Sequence, residues 1–346
     1  MLERYTSNAT VAKIRAIHGY MLTAQNFKDL LTRQSVAEVA DYLKKTKRYH
    51  DALASVDVNS VHRGYLEELL HRTNFLLYER ICRFGQLDKT DFYKFEILAN
   101  EIEQILSCIM HINSGEDESF IESLPAYLIS KSDFDMITLA KSKNMQDILT
   151  CLEKTDYYKI LCDISPDSKG IINYFECEKR LRTYYYKKLL SDTKRSFDKK
   201  TAAELEGLIT NEIDLINIIN AYRMKKYFNA DIKTVLSSAL PFYGRLGEKK
   251  MIRILSSQTP EALLSAFLKT SYGRQLAGID EDFIEDSVNR VRFKLKKRAL
   301  AVTRNAPTAL YAFLGVCDME VENITNIIEG IRYSADMDEI NKILIY

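Results

Sequence analysis

The sequence predicts an all-α fold, and three observations point to it. Apolar residues recur at helical spacing almost everywhere along the 346 residues. Alternating patterns of the kind found in β-strands are short and rare. Only 5 Pro and 12 Gly interrupt the chain, which leaves room for long helices. Since a chain of this length usually organises more than one hydrophobic core, we expect two or three domains.

Composition and charge exclude several classes of protein. The chain has 46% apolar residues, and Lys+Arg 49 against Asp+Glu 48 leaves a net charge of +1. A protein that spreads over nucleic acid carries a clear basic excess, so we expect no nucleic-acid partner. The longest uncharged stretch, residues 305–317, is shorter than the ~20 residues that span a bilayer. The N-terminus lacks the apolar segment of a signal peptide.

The cysteines and histidines show no metal-binding spacing. The six cysteines are scattered without a CxxC pair, which indicates reduced thiols, mostly in the core of a cytosolic protein. They are Cys82, Cys108, Cys151, Cys162, Cys177 and Cys317. The five histidines never fall at HxxxH spacing, and we take none of them to pair locally with a cysteine, so we expect no metal site.

An internal repeat is the strongest signal in the sequence. Three segments end in Lys-Thr, at Thr46, Thr155 and Thr270. Eleven residues before each threonine stands a good helix N-cap residue. The three N-caps are Ser35, Asn144 and Thr259. Each segment is therefore predicted to be a short helix, and Ser35 with Glu38 forms the pattern of a capping box.

The three short helices share an apolar stripe and a tyrosine. Apolar residues occupy equivalent positions before each threonine, so that one face of each helix should be buried. The stripe includes Val39 and Leu43, Ile148 and Leu152, and Leu263 and Phe267. A tyrosine follows each threonine, at Tyr49, at Tyr157 or Tyr158, and at Tyr272. Chance similarity of amphipathic helices does not explain caps, stripes and tyrosines that agree together.

The spacing of the threonines predicts three domains. They lie 109 and 115 residues apart (155 − 46 and 270 − 155), and a third of 346 residues is about 115. Repeats of this length are too long for the common helical solenoids, which use ~34 to 47 residues. We therefore expect three helical repeat domains at residues 1–118, 119–233 and 234–346.

Two further helices carry a second motif, in which an acidic residue is followed by any two residues and then by Asn-Ile. It occurs at Asp214 with Asn217 and at Glu320 with Asn323, and in the first repeat it has decayed to FEILANEIEQIL around Glu96. Together with the Lys-Thr helices and the Leu-Pro pairs at 124–125 and 240–241, this resembles the C subunit family of V-type and A-type ATPases. The eukaryotic relatives are called d subunits.

The resemblance implies three similar helical domains in a pseudo-three-fold, funnel-like arrangement. It also implies a non-catalytic connector on the cytoplasmic side of the membrane. Its partners would be the central stalk subunits and the membrane c-ring, and the complex would couple ATP hydrolysis or synthesis to H⁺ or Na⁺ transport.

Two other interpretations stay open at this point. One is a generic helical adaptor without a rotor, which would not co-purify with the subunits of the membrane ring. The other is a helical enzyme, which would show turnover as an isolated chain.

No motif for nucleotide binding or catalysis is present. No Gly is followed by Lys, so GxxxxGK[ST] is absent, and GxGxxG is absent too. We expect no cofactor, no catalytic residue and no small-molecule substrate.

Partner-binding residues are predicted from their place near the repeated motifs. The candidates are Arg223, Lys225, Lys226, Arg245 and Arg332. Ordinary surface charge is the alternative interpretation of each. The most basic segment, residues 290–298, has an apolar seam at helical spacing, so its charges should project outward toward solvent or a partner.

Overall fold

The structure is a computed structural model that describes residues 2–58, 60–115, 121, 124–275 and 284–346, with side chains from residue 7 onward. It is 74% helical and has no β-strand among these residues. This is far above the helix content of an average globular protein, about 30–35%. The predicted all-α fold is confirmed.

Eighteen α-helices account for most of the described residues. The first nine are α1 (Leu2–His18), α2 (Ala24–Leu31), α3 (Val36–Lys44), α4 (His50–Leu53), α5 (Arg63–Gly85), α6 (Phe95–Ser114), α7 (Ala126–Ile129), α8 (Met136–Ala140) and α9 (Met145–Leu152). The others are α10 (Asp156–Leu161), α11 (Tyr174–Ser196), α12 (Lys199–Phe228), α13 (Ile232–Ser238), α14 (Glu248–Leu255), α15 (Pro260–Leu268), α16 (Ile284–Val302), α17 (Ala306–Arg332) and α18 (Met337–Ile343). Long helices therefore alternate with runs of short ones.

The chain forms two compact units. The first comprises Met1–Asp88, Asp198–Ser237 and Phe242–Tyr346, and the second comprises Lys89–Phe197 and Ser238–Pro241. The division into domains at 1–118, 119–233 and 234–346 stays a prediction. Its boundary between residues 118 and 119 lies outside the described residues.

The three short Lys-Thr helices begin where the sequence predicts. The side chain of Ser35 accepts a hydrogen bond from the backbone N–H of Glu38 at 3.2 Å. Asn144 and Thr259 accept equivalent bonds from residues three positions later, at 3.0 and 3.2 Å. Each cap satisfies one of the N–H groups that the first helical turn leaves without a partner. The return bond of the capping box differs from the prediction, because Glu38 accepts from the N–H of Gln34 rather than Ser35.

The predicted apolar stripe is buried. All six of its residues are at most 1% exposed, namely Val39, Leu43, Ile148, Leu152, Leu263 and Phe267. Around the first helix, Val39 and Leu43 belong to a core that also contains Ile324 and Ile328 of α17. The core of the first short helix is thus completed by a helix near the other end of the sequence.

Replacing Leu43 with Ala should lower the free energy of unfolding by about 2–5 kcal/mol, because a fully buried leucine leaves a cavity. Chemical denaturation of the purified chain measures this cost. The matched control is Lys45→Ala at the exposed end of the same helix, where a change within about 0.5 kcal/mol is expected. Equal costs at the two positions would mean that the stripe is not the core of this helix.

The last residues of the sequence are tied to α17. The Asn323 side chain donates to the carbonyl of Ile345 at 2.7 Å and accepts from its N–H at 2.9 Å. The ring of Tyr346 stacks on Phe27 of α2, with centroids 5.2 Å apart. The asparagine of the acidic-x-x-Asn-Ile motif therefore anchors a neighbouring backbone segment.

Four of the six cysteines are buried, as expected for core thiols: Cys82, Cys108, Cys177 and Cys317. Cys151 is half-buried and Cys162 is exposed. None of the helices in the described ranges is both long enough and apolar enough to cross a bilayer.

Candidate functional site

A buried carboxylate cluster joins α17 to the segment around the first short helices. Glu320 accepts a hydrogen bond from the Tyr49 hydroxyl at 2.8 Å and from the N–H of Leu22 at 2.6 Å. The Arg48 guanidinium adds a third contact at 3.3 Å. Leu22 lies in the loop that leads into α2, and Tyr49 follows α3. We call this group the first carboxylate cluster.

The second carboxylate cluster has the same construction around Glu101 of α6. Glu101 accepts from the Tyr157 hydroxyl at 2.7 Å and from the Ser132 hydroxyl at 2.9 Å, and also from the N–H of Asp133. Ser132 and Asp133 precede α8. Burial raises the pKa of the Glu101 carboxyl, although these hydrogen bonds favour its charged form.

The third carboxylate cluster surrounds Asp214 of α12. Asp214 accepts from the N–H groups of Gly244 and Leu246 at 2.9 and 3.1 Å, in the loop before α14. The Tyr272 hydroxyl lies 3.1 Å from Asp214 and 2.7 Å from the amide oxygen of Asn211. Burial again raises the pKa of the carboxyl against the effect of its hydrogen bonds.

The clusters resolve two points that the sequence left open. The tyrosine that follows Thr155 in the second repeat is Tyr157, because Tyr158 is exposed. The acidic residue of the first repeat is Glu101, which lies within the segment FEILANEIEQIL where the motif was placed. Gln104-Ile105 follows Glu101 at the spacing of Asn-Ile after Asp214, and this was the signal that could have identified it. Each carboxylate is occupied by donors of the chain itself, so the clusters hold structure.

A charged junction lies where α12, α16 and α17 meet. Glu212 is buried and accepts from Arg292 at 2.6 Å, from Lys296 at 2.9 Å and from the Tyr311 hydroxyl at 2.9 Å. Burial opposes its charged form, but Lys296 and Arg292 outweigh this and lower the pKa of Glu212 to about 2. Gly315 gives Lys296 room, because a Cβ there would lie 2.3 Å from its Nζ.

The basic segment 290–298 therefore differs from the prediction that its charges project outward. Arg292 and Lys296 turn toward Glu212 and bind it, whereas Lys294 and Lys297 are exposed. The physical reason is the carboxylate on the neighbouring helix α12, which stabilises two cations that would otherwise be costly to bury.

Three of the predicted partner-binding residues lie exposed at helix ends. Arg223 is exposed near the end of α12 and pairs with Glu285. Lys226 is exposed one turn later, with its Nζ 5.4 Å from the ring of Tyr222. Arg332 lies at the equivalent end of α17, 5.5 Å from the ring of Tyr333. Arg223 and Lys226 thus share one helix end.

The other two predicted residues have different surroundings. Arg245 is exposed, with its guanidinium 5.8 Å from the ring of Tyr272, so it lies beside the third carboxylate cluster. Lys225 is only 5% exposed. Its Nζ has no hydrogen-bond partner among the described residues. Lys225 follows Asp214 by eleven residues, about three helical turns, which places both on the buried face of α12.

Exposed aromatic side chains, which the sequence patterns did not indicate, accompany the cations at both helix ends. Tyr227 and Phe228 are 64% and 65% exposed at the end of α12, and Tyr333 is 70% exposed after α17. Tyrosine and phenylalanine are enriched in protein interfaces, as is arginine. We call Arg223, Lys226, Tyr227 and Phe228 the α12 end patch. The described part of the chain contains no cluster of three or more His, Cys, Asp or Glu side chains able to hold a metal ion.

The sequence has relatives along nearly its whole length. Residues 10–343 match the family described as ATP synthase (C/AC39) subunit. The C subunit of the A-type ATP synthase of Methanosphaera stadtmanae is 25% identical over 278 residues, covering 80% of this chain and 69% of the relative. That of Thermococcus kodakarensis is 26% identical over 278 residues, covering 80% and 71%. That of Methanobrevibacter smithii is 22% identical over 334 residues, covering 94% and 84%.

Proposed function

Because the chain belongs to the ATP synthase (C/AC39) subunit family, we propose that it is the non-catalytic connector of a rotary ATPase of the V or A type. It links the central stalk to the membrane c-ring from the cytoplasmic side. The torque that it carries couples ATP hydrolysis or synthesis to the transport of H⁺ or Na⁺. The observation that carries the proposal is the family match over residues 10–343.

The internal construction suits a part that transmits force. The buried carboxylates of the three carboxylate clusters and of the charged junction at Glu212 are held in place by groups of the same chain. Buried carboxylates with hydrogen-bond donors around them favour one arrangement of the helices, because any other arrangement leaves these carboxylates without partners. A connector with one stable arrangement passes torque on instead of absorbing it in local rearrangement.

The α12 end patch is our proposed contact with the stalk. Arg332, and Arg245 beside the third carboxylate cluster, are proposed as further contacts. Exposed cations beside exposed aromatic rings combine charge attraction with apolar contact area. Lys225, which was predicted together with these residues, is buried and is not part of the α12 end patch.

The chain, carrying an affinity tag, should recover the stalk subunits and the c-ring subunits from solubilised membranes, as mass spectrometry of the bound proteins would show. Reversing Arg223 and Lys226 to Glu should reduce recovery of the stalk subunits. The loss should be greater at low salt than at high salt, because exposed charges are screened within ~8–10 Å at physiological ionic strength.

The matched control reverses Lys45 and Arg83 to Glu. Both are exposed cations, and they pair with the nearby carboxylates of Asp41 and Glu79. The change in net charge is the same, because two cations are replaced with Glu in each variant. Recovery that falls equally in both variants would remove the α12 end patch from the interface. Failure of the unmodified chain to recover any part of an ATPase would contradict the connector role itself.

A further inference from the structure

The carboxylate clusters share a property beyond their hydrogen bonds, because each takes its acid from one predicted repeat and its tyrosine from another. The pairs are Glu101–Tyr157, Asp214–Tyr272 and Glu320–Tyr49. In the first two, the tyrosine belongs to the repeat that follows. In the last pair, the third repeat supplies the acid and the first repeat supplies the tyrosine, 271 residues away.

The apolar contacts follow the same exchange. Helix α6 packs against α8, α12 packs against α14 and α15, and α17 packs against α2 and α3. In the last case one buried cluster contains Phe27, Val39 and Leu43 together with Ile324 and Ile328. We call each of these combinations an exchanged core: a long helix of one repeat with the short helices of another.

We propose that the chain passes force from repeat to repeat through these three exchanged cores, each pinned by its carboxylate cluster. Neighbouring repeats cannot separate without opening an apolar core and leaving a buried carboxylate and backbone N–H groups unpaired, which is costly. Self-contained repeats would instead be joined by single linkers, across which relative motion is the default. The role in passing force depends on the connector function proposed above, whereas the cores themselves do not.

Amide hydrogen exchange on the full chain tests the cores, with Glu320→Gln and Asp214→Asn as matched variants. Glu320→Gln should accelerate exchange about tenfold or more at both 24–44 and 321–332, because the donors of Glu320 lose a charged acceptor. Exchange at 248–268 should not change. Asp214→Asn should have the opposite pattern. It should accelerate amide exchange at 248–268 and 215–228 and leave exchange at 24–44 unchanged.

Acceleration by Glu320→Gln that is confined to 321–332, with 24–44 unchanged, would overturn the exchanged cores. If that variant does not fold, Tyr49→Phe removes a single hydroxyl and keeps the ring. It should give a smaller acceleration that is again paired at 24–44 and 321–332, and an unpaired response would again count against the cores.

The force-transmitting role is read in the assembled complex, as ions moved per ATP hydrolysed. Glu320→Gln should lower this ratio, while Asp41→Asn, which breaks an exposed pair with Lys45, should leave it unchanged. Paired opening in the exchange experiment with a normal ratio would overturn the role of the cores in passing force. That outcome differs from failure of the connector function, in which a complex without the chain would still pump.

Discussion

Replacing Glu212 with Gln is expected to cost about 3–5 kcal/mol of folding free energy at neutral pH, because it removes a buried charge that two partly buried cations share. Arg292 and Lys296 both bind Glu212, and their side chains are largely buried. Gln keeps the size of the side chain and can still accept from the Tyr311 hydroxyl, so the change isolates the charge. Denaturant unfolding of the two proteins measures the difference.

The cost should depend on pH in a defined direction. The pKa of Glu212 is lowered from 4.5 to about 2 in the folded chain. Its charge therefore stabilises the fold fully above pH 4.5, and this contribution is lost as pH falls from 4.5 to about 2. A shift of this size corresponds to roughly 3 kcal/mol. The gap between wild type and Glu212→Gln should accordingly shrink over that interval.

Asp318, which also faces this junction, titrates in the opposite sense. Solvent reaches its side chain, but the packed atoms around it disfavour the charged form and raise the pKa of the carboxyl above the usual 3.8, despite the nearby Lys296. Protonation of Asp318 as pH falls toward 3.8 therefore relieves an unfavourable charge, before most of the Glu212 contribution is lost. The Glu212 effect is therefore read as the difference in stability between the two proteins at each pH.

Two controls separate charge from packing. Asp41→Asn removes a carboxylate from an exposed pair with Lys45 and should cost less than about 1 kcal/mol. Adding Lys296→Met to Glu212→Gln should recover part of the lost stability, because the double variant no longer contains a Lys296 cation without a counter-charge. A cost for Glu212→Gln that is the same at pH 3 and pH 7 would show that the junction contributes by shape alone.

The local features of the fold could be predicted from the sequence because they depend on neighbours along the chain. Ser35, Asn144 and Thr259 cap helices through residues three positions away, so a short window contains the whole interaction. The same holds for the buried stripe, since helical periodicity determines which residues share a face. These signals identified the three short helices and the all-α class.

The partners across helices could not be predicted in the same way. Glu212 meets Arg292 over 80 residues and Glu320 meets Tyr49 over 271, and no periodicity connects such positions. The burial of Lys225 could have been foreseen, because its spacing from Asp214 already places it on the inner face of α12. The exposure of Tyr227 and Phe228 could not be foreseen, since apolar residues at a helix end more often pack inward.

A complex assembled without this chain should still hydrolyse ATP in its soluble sector but should transport no ions. This follows from the connector function, because the ATP sites would lie on other subunits while torque would reach the c-ring only through this link. Reconstituted vesicles give both readings, ATP turnover in solution and ion uptake into the lumen.

Adding the purified chain back should restore ion uptake. Adding the chain with Arg223 and Lys226 reversed to Glu should restore less of this uptake at low salt. Restoration by the Lys45 and Arg83 reversal should match the unmodified chain. Full ion uptake by complexes that lack the chain would show that torque reaches the ring by another route.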